Sequence, residues 1–382
     1  MGEKTAEVEV LDSNSEFTIN LYNVLAATSP GNSIFSPISL HAVLSMAYQG
    51  ARGTTAEKFA STLKVPEAKV IKEGYKILID HLNTIPYVTL LMANKVYLME
   101  GYQLLPDFNN AVTENFVSEV QLLNFRERQS AAESINIWVE EKTQEKIKNL
   151  VNAGDLDGST RLVLVNAIYF KARWMHVFSK NATRTEPFYL NDVDSVNVEM
   201  MHMKRKFHFN SIKEMGAKIL ELPYTNKNLS MVIILPFERN GIAELEKKLT
   251  TVNLAEITNE LWNAQVTVAL PKFKIEQTID LKDSLTELGL GEIFSPVANF
   301  SGMITSKEPL YVSKVIQKAF IEVNEEGAEA AAATGMTICP KKLIKGPHIT
   351  FIADHPFIIM LLEKINGKLN ILFTGKIRNP QI

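Results

Sequence analysis

The sequence predicts an α+β fold, in which helices pack against large β-sheets. Two segments, residues 36–48 and 134–150, carry apolar side chains at helical spacing. Strands are predicted where β-branched, aliphatic and aromatic residues cluster, and several of these runs are apolar on both faces, as in buried sheet. The runs are residues 161–170, 229–235, 266–270, 358–362 and 369–373. Because helices precede and interrupt the strands, the order is typical of α+β proteins.

The second helical segment separates an apolar face from a charged one. Ile135, Trp138 and Val139 fall on the apolar side, whereas Lys142 and Lys146 fall on the charged side. Near the other end of the chain, residues 318–323 form a further strand-like stretch.

Composition limits the classes of function. The chain has 382 residues, of which 46% are hydrophobic and 22% charged, so a sizeable globular core is available. A net charge of −3 gives no overall attraction to nucleic acid or to an anionic membrane. A single cysteine excludes an internal disulfide. The first residues lack the apolar core of a signal peptide, and no run of eighteen apolar residues follows, so we expect a soluble chain.

No motif for catalysis is present. The sequence contains no Gly-x-Ser-x-Gly, no His-Glu-x-x-His and no phosphate loop, and it has no second cysteine for a metal or redox pair. His202 and His208 are close in sequence, but no third ligand is spaced with them, so a surface strand or loop is the favoured interpretation. We therefore expect no enzyme activity, no cofactor and no metal.

The most informative segment is a run of small residues near the C-terminus. Four alanines in a row suggest a short helix, but Gly335 and Pro340 stop helical propagation. From Ala328 to Ile338 small or apolar residues alternate, which predicts a strand with one buried face, and Gly327 offers a flexible joint before it. The run comprises Glu325, Glu326, Gly327, Ala328, Glu329, Ala330, Ala331, Ala332, Ala333 and Thr334.

This run resembles the hinge of the reactive-centre loop in inhibitory serpins, especially invertebrate members. Other segments that resemble the family follow one another along residues 14–380: Asn32-Ser33-Ile34-Phe35-Ser36-Pro37, Leu164-Val165-Asn166-Ala167-Ile168-Tyr169-Phe170, Leu270-Pro271-Lys272-Phe273, Asp354-His355-Pro356-Phe357 and Phe373-Thr374-Gly375-Lys376. The resemblance implies one serpin domain over residues 1–382. It also implies three β-sheets, about nine helices and an exposed reactive-centre loop at about residues 325–350.

The resemblance further implies a cleavage site. In inhibitory serpins the scissile bond lies at a fixed distance after the hinge glycine, and fourteen residues beyond Gly327 is Lys341, so the expected cut is Lys341-Lys342. A lysine there fits a specificity pocket with a buried carboxylate, and the expected partner is a trypsin-like serine protease. The segment from Lys341 to Pro356 is about four residues longer than is common in the family, and Lys342 and Lys345 are rival sites. The paired lysines also admit a convertase that cleaves at dibasic sites.

The implied mechanism is suicide inhibition. The protease forms an ester with the carbonyl carbon of Lys341, and the freed loop then enters the central sheet as a new strand and carries the protease away. The resemblance places Ser36, Ser39, Asn166 and Gln317 in a polar cluster beneath that sheet, with Gln317 standing where many relatives carry histidine. It places Trp174 and Lys318 at the top of the sheet, where insertion begins. Plain packing of buried groups is the alternative for these six residues.

Further expectations concern partners and location. Lys69, Lys72 and Lys76 fall at helical spacing in a segment that resembles the heparin-binding helix of some serpins, so a sulfated polysaccharide is a candidate activator, and a solvated charged face is the alternative. We expect a secreted monomer, with a cytoplasmic location as the alternative. The competing class of function is a non-inhibitory serpin that acts as a carrier, chaperone or storage protein.

Overall fold

A computed structural model of the chain describes residues 4–65, 67–250, 254–306, 308–327 and 349–381. The chain divides into two compact units, each built from several stretches. Unit 1 comprises Met1–Phe170, Ile275–Ile321 and Met360–Gly375. Unit 2 comprises Lys171–Lys274, Glu322–Ile359 and Lys376–Ile382.

The described residues include nine α-helices and fourteen strands. The helices are α1 (Ala6–Thr28), α2 (Pro37–Gly50), α3 (Gly53–Leu63), α4 (Ala68–Leu82), α5 (Pro106–Phe116), α6 (Arg128–Lys142), α7 (Ile242–Leu249), α8 (Leu254–Asn259) and α9 (Lys282–Leu285). The strands are β1 (Ser33–Phe35), β2 (Val88–Met99), β3 (Val120–Leu123), β4 (Leu162–Ala172), β5 (Arg184–Tyr189), β6 (Ser195–Ile212), β7 (Ala217–Pro223), β8 (Leu229–Pro236), β9 (Trp262–Pro271), β10 (Phe273–Asp280), β11 (Val312–Val323), β12 (Ile349–Ile352), β13 (Phe357–Ile365) and β14 (Lys368–Ile377).

The core of unit 1 contains a helix that is buried on almost every side. Helix α2 begins at Pro37, whose fixed φ suits the first helical position, and the Ser36 hydroxyl accepts the N–H of Ser39 at 3.4 Å. All but one of its fourteen residues are buried. This helix therefore lies in the centre of the unit and brings Ser36 and Ser39 into the core.

A sheet of five strands has the order β10-β11-β4-β2-β3, and most of its residues belong to unit 1. Strand β4 is buried on both faces, as its continuous apolar run predicts. Strands β4 and β11 are parallel neighbours, with Gln317 opposite Asn166 and Lys318 opposite Ala167. A second path of strands in this unit follows the order β1-β14-β13.

Unit 2 is organised around the long strand β6. Along its first part, β6 pairs with β5, and from Met200 to Phe209 it pairs with β9. Its last five residues pair with β7, which in turn pairs with β8. Strand β6 has 18 residues, so it can pair with β5 and β9 along one part and with β7 along another. These two groups of strands would form separate sheets without β6, but hydrogen bonds through β6 join them into one.

The α+β fold class is confirmed, and the segments predicted as strands lie in β4, β8, β9, β11, β13 and β14. The prediction of a helix over residues 134–150 is wrong at both ends. Helix α6 begins at Arg128 and ends at Lys142. It ends there because Gln144 and Glu145 adopt positive φ angles of 50° and 60°, while the Thr143 hydroxyl donates to the Val139 carbonyl at 2.7 Å.

Candidate functional site

Strand β11 ends in a tight turn that reverses the chain. Asn324 and Gly327 form an antiparallel bridge, in which the N–H of each residue donates to the carbonyl of the other at 3.3 and 3.2 Å. Only Glu325 and Glu326 separate the two bridged residues, which is the geometry of a two-residue hairpin loop. The chain therefore reverses its direction between Asn324 and Gly327.

Gly327 lies where no side chain fits. Its φ angle is +115°, and a Cβ added there would stand 2.2 Å from the Ala172 carbonyl oxygen and 2.8 Å from the Trp174 amide nitrogen. Only glycine tolerates this conformation without strain. The turn is thus held tightly against the end of β4.

A carboxylate with three kinds of partner anchors the turn. The Glu325 side chain is 8% exposed, accepts the Thr183 hydroxyl at 2.8 Å and lies 3.5 Å from Lys272 Nζ. Burial opposes the charged form, but the backbone N–H, the Thr183 hydroxyl and the Lys272 ammonium outweigh it, so the pKa of Glu325 is lowered from its ordinary value of 4.5. Glu325 is therefore ionised at neutral pH.

The backbone and the second glutamate add further contacts. The carbonyls of Glu325 and Glu326 accept the N–H groups of Phe178 and Trp174 at 2.8 and 3.0 Å. The Glu326 carboxylate lies 2.9 Å from the ammonium of Lys180, whose side chain is 68% exposed. Exposed ion pairs of this kind contribute little, so the backbone bonds and Glu325 hold most of the turn.

Trp174 is packed beside the same turn. Its indole N–H donates to the Asn324 carbonyl at 3.0 Å, and its ring stacks on that of Tyr224 with 4.3 Å between centroids. Both aromatic side chains are almost fully buried. The structure thus brings the predicted residues Trp174, Glu325, Glu326 and Gly327 together in unit 2.

The four predicted polar residues of unit 1 also form one cluster, across β4 and β11. The Gln317 amide oxygen accepts the Ser36 N–H, and its nitrogen donates to the Ser36 carbonyl, both at 2.9 Å. The same nitrogen donates to Asn166, whose own amide donates to Ser39. All four side chains are fully buried. Because buried polar groups are costly to leave unpaired, this network fixes the relative positions of α2, β4 and β11.

Lys318, the other residue predicted at the top of the sheet, makes its contacts within unit 1. Its ammonium donates to the Lys148 carbonyl and lies 2.7 Å from a Glu276 carboxylate oxygen. Successive side chains on a strand point to opposite faces, so Lys318 leaves β11 on the face opposite Gln317, next to it in sequence. Lys318 therefore binds the segment after α6 and the strand β10.

Several residues of the site were missed from sequence. Asn94 on β2 accepts hydrogen bonds from Ser39, at 3.1 Å, and from Asn166, so it belongs to the buried cluster. An asparagine within the largely apolar run of residues 88–99 is the signal that could have found it. Lys272 directly follows an apolar strand end, whereas nothing in the sequence distinguishes Thr183 or Lys180.

Other predicted positions lie elsewhere or outside the described residues. Lys69, Lys72 and Lys76 lie on α4, where Lys69 and Lys76 are exposed and Lys72 is half-buried. The reactive bond Lys341-Lys342 lies outside the described residues. So do seven hinge positions: Ala328, Glu329, Ala330, Ala331, Ala332, Ala333 and Thr334.

The two histidines considered as metal ligands each bind one carboxylate. His202 Nε2 lies 3.0 Å from Glu186, and His208 Nδ1 lies 2.9 Å from Glu221. Within the described ranges, no group of three or more potential ligands is close enough to hold a metal ion. Among the described helices, none has both the length and the apolar character needed to cross a membrane.

Comparison with known proteins gives the class to which this fold and site belong. The family model described as "Serpin (serine protease inhibitor)" matches residues 12–380. Leukocyte elastase inhibitor of Bos taurus is 40% identical over 377 residues, which cover 96% of this chain and 98% of the bovine one.

Two solved structures are similar over nearly their whole length. Serpin48 of the insect Tenebrio molitor superposes with a TM-score of 0.87 at 34% identity, covering 97% of this chain and 98% of that one. Human thyroxine-binding globulin in complex with its hormone gives a TM-score of 0.89 at 28% identity, covering 99% and 100%. The chain belongs to the serpin family.

Proposed function

We propose that this serpin inhibits serine proteases as a suicide substrate. The observation that carries the proposal is the hairpin at Asn324–Gly327, in which the chain reverses its direction at the end of β11, while β4 and β11 are paired with each other. A strand added between these two parallel strands would run antiparallel to both and could bond to each. Fourteen residues after Gly327 would reach roughly 45 Å, enough to span the sheet.

The proposed reaction begins as ordinary proteolysis. The serine of the protease attacks the carbonyl carbon of Lys341, and the peptide bond to Lys342 breaks while the serine oxygen forms an ester. The catalytic base of the protease passes the proton of the serine hydroxyl to the nitrogen of Lys342, which leaves as the amine of the released C-terminal peptide. The segment from Ala328 is then no longer tethered at its C-terminal end. Insertion of that segment then carries the attached protease along and distorts its active site. The distorted site no longer hydrolyses the ester, so the protease stays bound.

The proposed specificity is for trypsin-like enzymes. Lysine at the cleaved position is the argument for this, because an acidic specificity pocket selects it. The name of the bovine relative instead refers to elastase, an enzyme with a different preference. Elastase is therefore the protease with which trypsin should be compared.

The test mixes the protein with trypsin, and separately with elastase, at equal molar amounts, followed by a denaturing gel. We expect a complex with trypsin that survives boiling and a released peptide whose first residue is Lys342. Lys341→Ala should abolish that complex, whereas Lys342→Ala and Lys345→Ala should retain it. A first residue of Leu343 or Gly346 would move the cleavage site to Lys342 or Lys345. Complete cleavage without a complex would contradict inhibition.

Ala332→Arg is the matched control for the mechanism. An arginine side chain at a position predicted to face the sheet interior should block insertion but leave the scissile bond intact. This variant should be cleaved at the same bond without trapping the enzyme. If it traps trypsin as well as the unchanged protein does, strand insertion is not the mechanism.

A carrier role is the second candidate, favoured by the likeness to thyroxine-binding globulin. It predicts saturable binding of an apolar hormone-like ligand and no stable protease complex. Calorimetry with thyroxine, run beside the gel, separates the two candidates. Binding without a complex would favour the carrier role.

A sulfated polysaccharide is proposed as an activator, on the basis of the stripe of Lys69, Lys72 and Lys76 along α4. Heparin should accelerate trypsin inhibition, and the acceleration should fall as salt rises. Replacing the three lysines with glutamine should remove the effect, whereas Lys58→Gln on α3 should not. Equal acceleration in both variants would exclude this surface.

Secretion and a monomeric state remain predictions. The argument for secretion is the trypsin-like character of the loop, with a cytoplasmic location as the alternative. Immunodetection in medium and cell fractions from the source organism decides between them. Light scattering measures the mass in solution, and a value near 43 kDa is expected for a monomer of this 42.8 kDa chain.

A further inference from the structure

Unit 1 contains a cavity at the end of α1 that the proposed mechanism does not use. It has a volume of about 340 Å³, which is within the range of small-molecule sites. The last turn of α1, strand β1, the end of β10 and helix α9 contribute to its lining. Val24, Leu25 and Ile279 supply apolar surface, so the cavity can receive a hydrocarbon chain.

The lining of this cavity is acidic. Among the described residues that line it, three are carboxylates, Asp280, Asp283 and Glu287, and none is basic. Asp283 and Glu287 are exposed and, within the part of the chain that the structure describes, form no ion pair. The end of α1 adds to the negative potential, because the carbonyl end of a helix dipole is negative and the last turn of this helix has no basic residue.

The nearby lysines do not cancel this charge. Lys314 lies 3.2 Å from Asp280, but it is shared with Asp155 at 3.4 Å. The ammonium of Lys282, at the start of α9, lies 5.9 Å from the centroid of the Phe294 ring. Counted against the three lining carboxylates and Asp155, the two lysines leave two negative charges unmatched.

Two buried hydroxyl groups on the lining lack partners. The residues that carry them, Ser33 and Ser284, are only 5% and 8% exposed. Among the described residues, neither side-chain hydroxyl has a hydrogen-bond partner. Because a buried hydroxyl without a partner is costly, these two groups point to a polar ligand in the cavity.

We propose that this cavity binds an aliphatic diamine, with its two ammonium groups on Asp283 and Glu287 and its methylene chain against Val24 and Leu25. The two carboxylates are four residues apart in consecutive helical turns, a spacing that places Cβ atoms about 5–6 Å apart. An ammonium group donates three hydrogen bonds, so it can also satisfy a hydroxyl such as that of Ser284. A metal ion is not favoured, because within the described ranges no group of three or more potential ligands is close enough to hold one.

The test is calorimetric titration of the full-length protein with putrescine, a four-carbon diamine. We expect saturable binding at one site and a higher thermal unfolding temperature at saturation, since the ligand binds the folded state. Asp283→Asn combined with Glu287→Gln should weaken binding by about tenfold or more, because both charge-assisted hydrogen bonds are lost. Glu114→Gln, at an exposed carboxylate of α5, is the matched control and should bind as the unchanged protein does.

The ligand series separates this site from other kinds of binding. Butylamine carries one charge and butanediol none, so both should bind more weakly than putrescine, and calcium should not compete with it. The proposal is overturned by the absence of saturable binding to the folded protein, by equal affinity in the double variant, or by equally tight binding of butylamine, butanediol or calcium. Circular dichroism of each variant establishes that it is folded. No protease takes part in these measurements, so their outcome is independent of the proposed function.

Discussion

Gln317 on β11 and Asn166 on β4 are directly opposite each other in the parallel register and are joined by a side-chain hydrogen bond. Both side chains are fully buried, and Gln317 also satisfies the N–H and the carbonyl of Ser36. The two strands that would part in the proposed insertion are therefore held by a polar side-chain network as well as by their backbone ladder.

Gln317→Leu should destabilise the protein. The substitution removes the hydrogen-bond partner of the Ser36 N–H and of the Asn166 amide oxygen. Each buried group that is left unpaired costs about 1–3 kcal/mol. We expect a lower thermal unfolding temperature, measured by circular dichroism. Gln129→Leu, on the exposed face of α6, is the control and should change little. Equal stability of the two variants would mean that solvent reaches the cluster.

The Glu325–Lys272 pair should show a measurable coupling energy. In a double-mutant cycle with Glu325→Gln and Lys272→Met, we expect about 1 kcal/mol of coupling, because the carboxylate is almost fully buried and the lysine partly so. Chemical unfolding of the four proteins gives the value. The control is a second cycle that combines Glu325→Gln with Lys227→Met, a change at an exposed lysine of the same unit, and it should show no coupling.

Histidine 41 should make stability depend on pH. His41 is buried, its Nδ1 is 2.7 Å from the Tyr75 hydroxyl and its Nε2 is 3.0 Å from the Leu63 carbonyl. Burial lowers the pKa of His41 from 6.5 to about 4, although the Leu63 carbonyl opposes the shift.

The sign of the pH effect follows from that shift. Above pH 6.5 the histidine is neutral in both states, so its contribution is fully present. As the pH falls from 6.5 toward 4, the unfolded chain gains a proton that the folded chain does not, and stability declines by on the order of 3 kcal/mol in total. His41→Gln should be less stable at pH 7.5 but lose less on acidification. A parallel decline in both proteins would assign the effect to other groups.

Gly327→Ala should strain the turn after β11. The new Cβ would meet the Ala172 carbonyl, and alanine disfavours a φ angle of +115°. We expect a loss of more than about 1 kcal/mol in thermal or chemical unfolding. Gly31→Ala is the control, since nothing lies within 4 Å of a Cβ there. A neutral outcome at Gly327 would mean that the turn relaxes at little cost.

The sequence was sufficient for the fold and for part of the site. Apolar runs located the buried strands because burial on both faces leaves a continuous pattern, and motif resemblance brought Ser36, Ser39, Asn166 and Gln317 to one cluster. The end of α6 could not be predicted, because it depends on left-handed conformations at Gln144 and Glu145, residues with no strong preference for them. The partners of Glu325 come from distant segments, and no local pattern marks a contact between Thr183 and Glu325.

The lysines on the outer face of β11 determine which strands would move together. Lys318 and Lys314 bind Glu276 and Asp280 of the edge strand β10, so two charged cross-links tie β11 to β10. Lys314 also binds Asp155, and Lys318 binds the Lys148 carbonyl, so both lysines hold the segment that follows α6. If the sheet opens between β4 and β11, strands β10 and β11 would move together. The contacts of Lys318 with the Lys148 carbonyl and of Lys314 with Asp155 would have to break before these two strands could move.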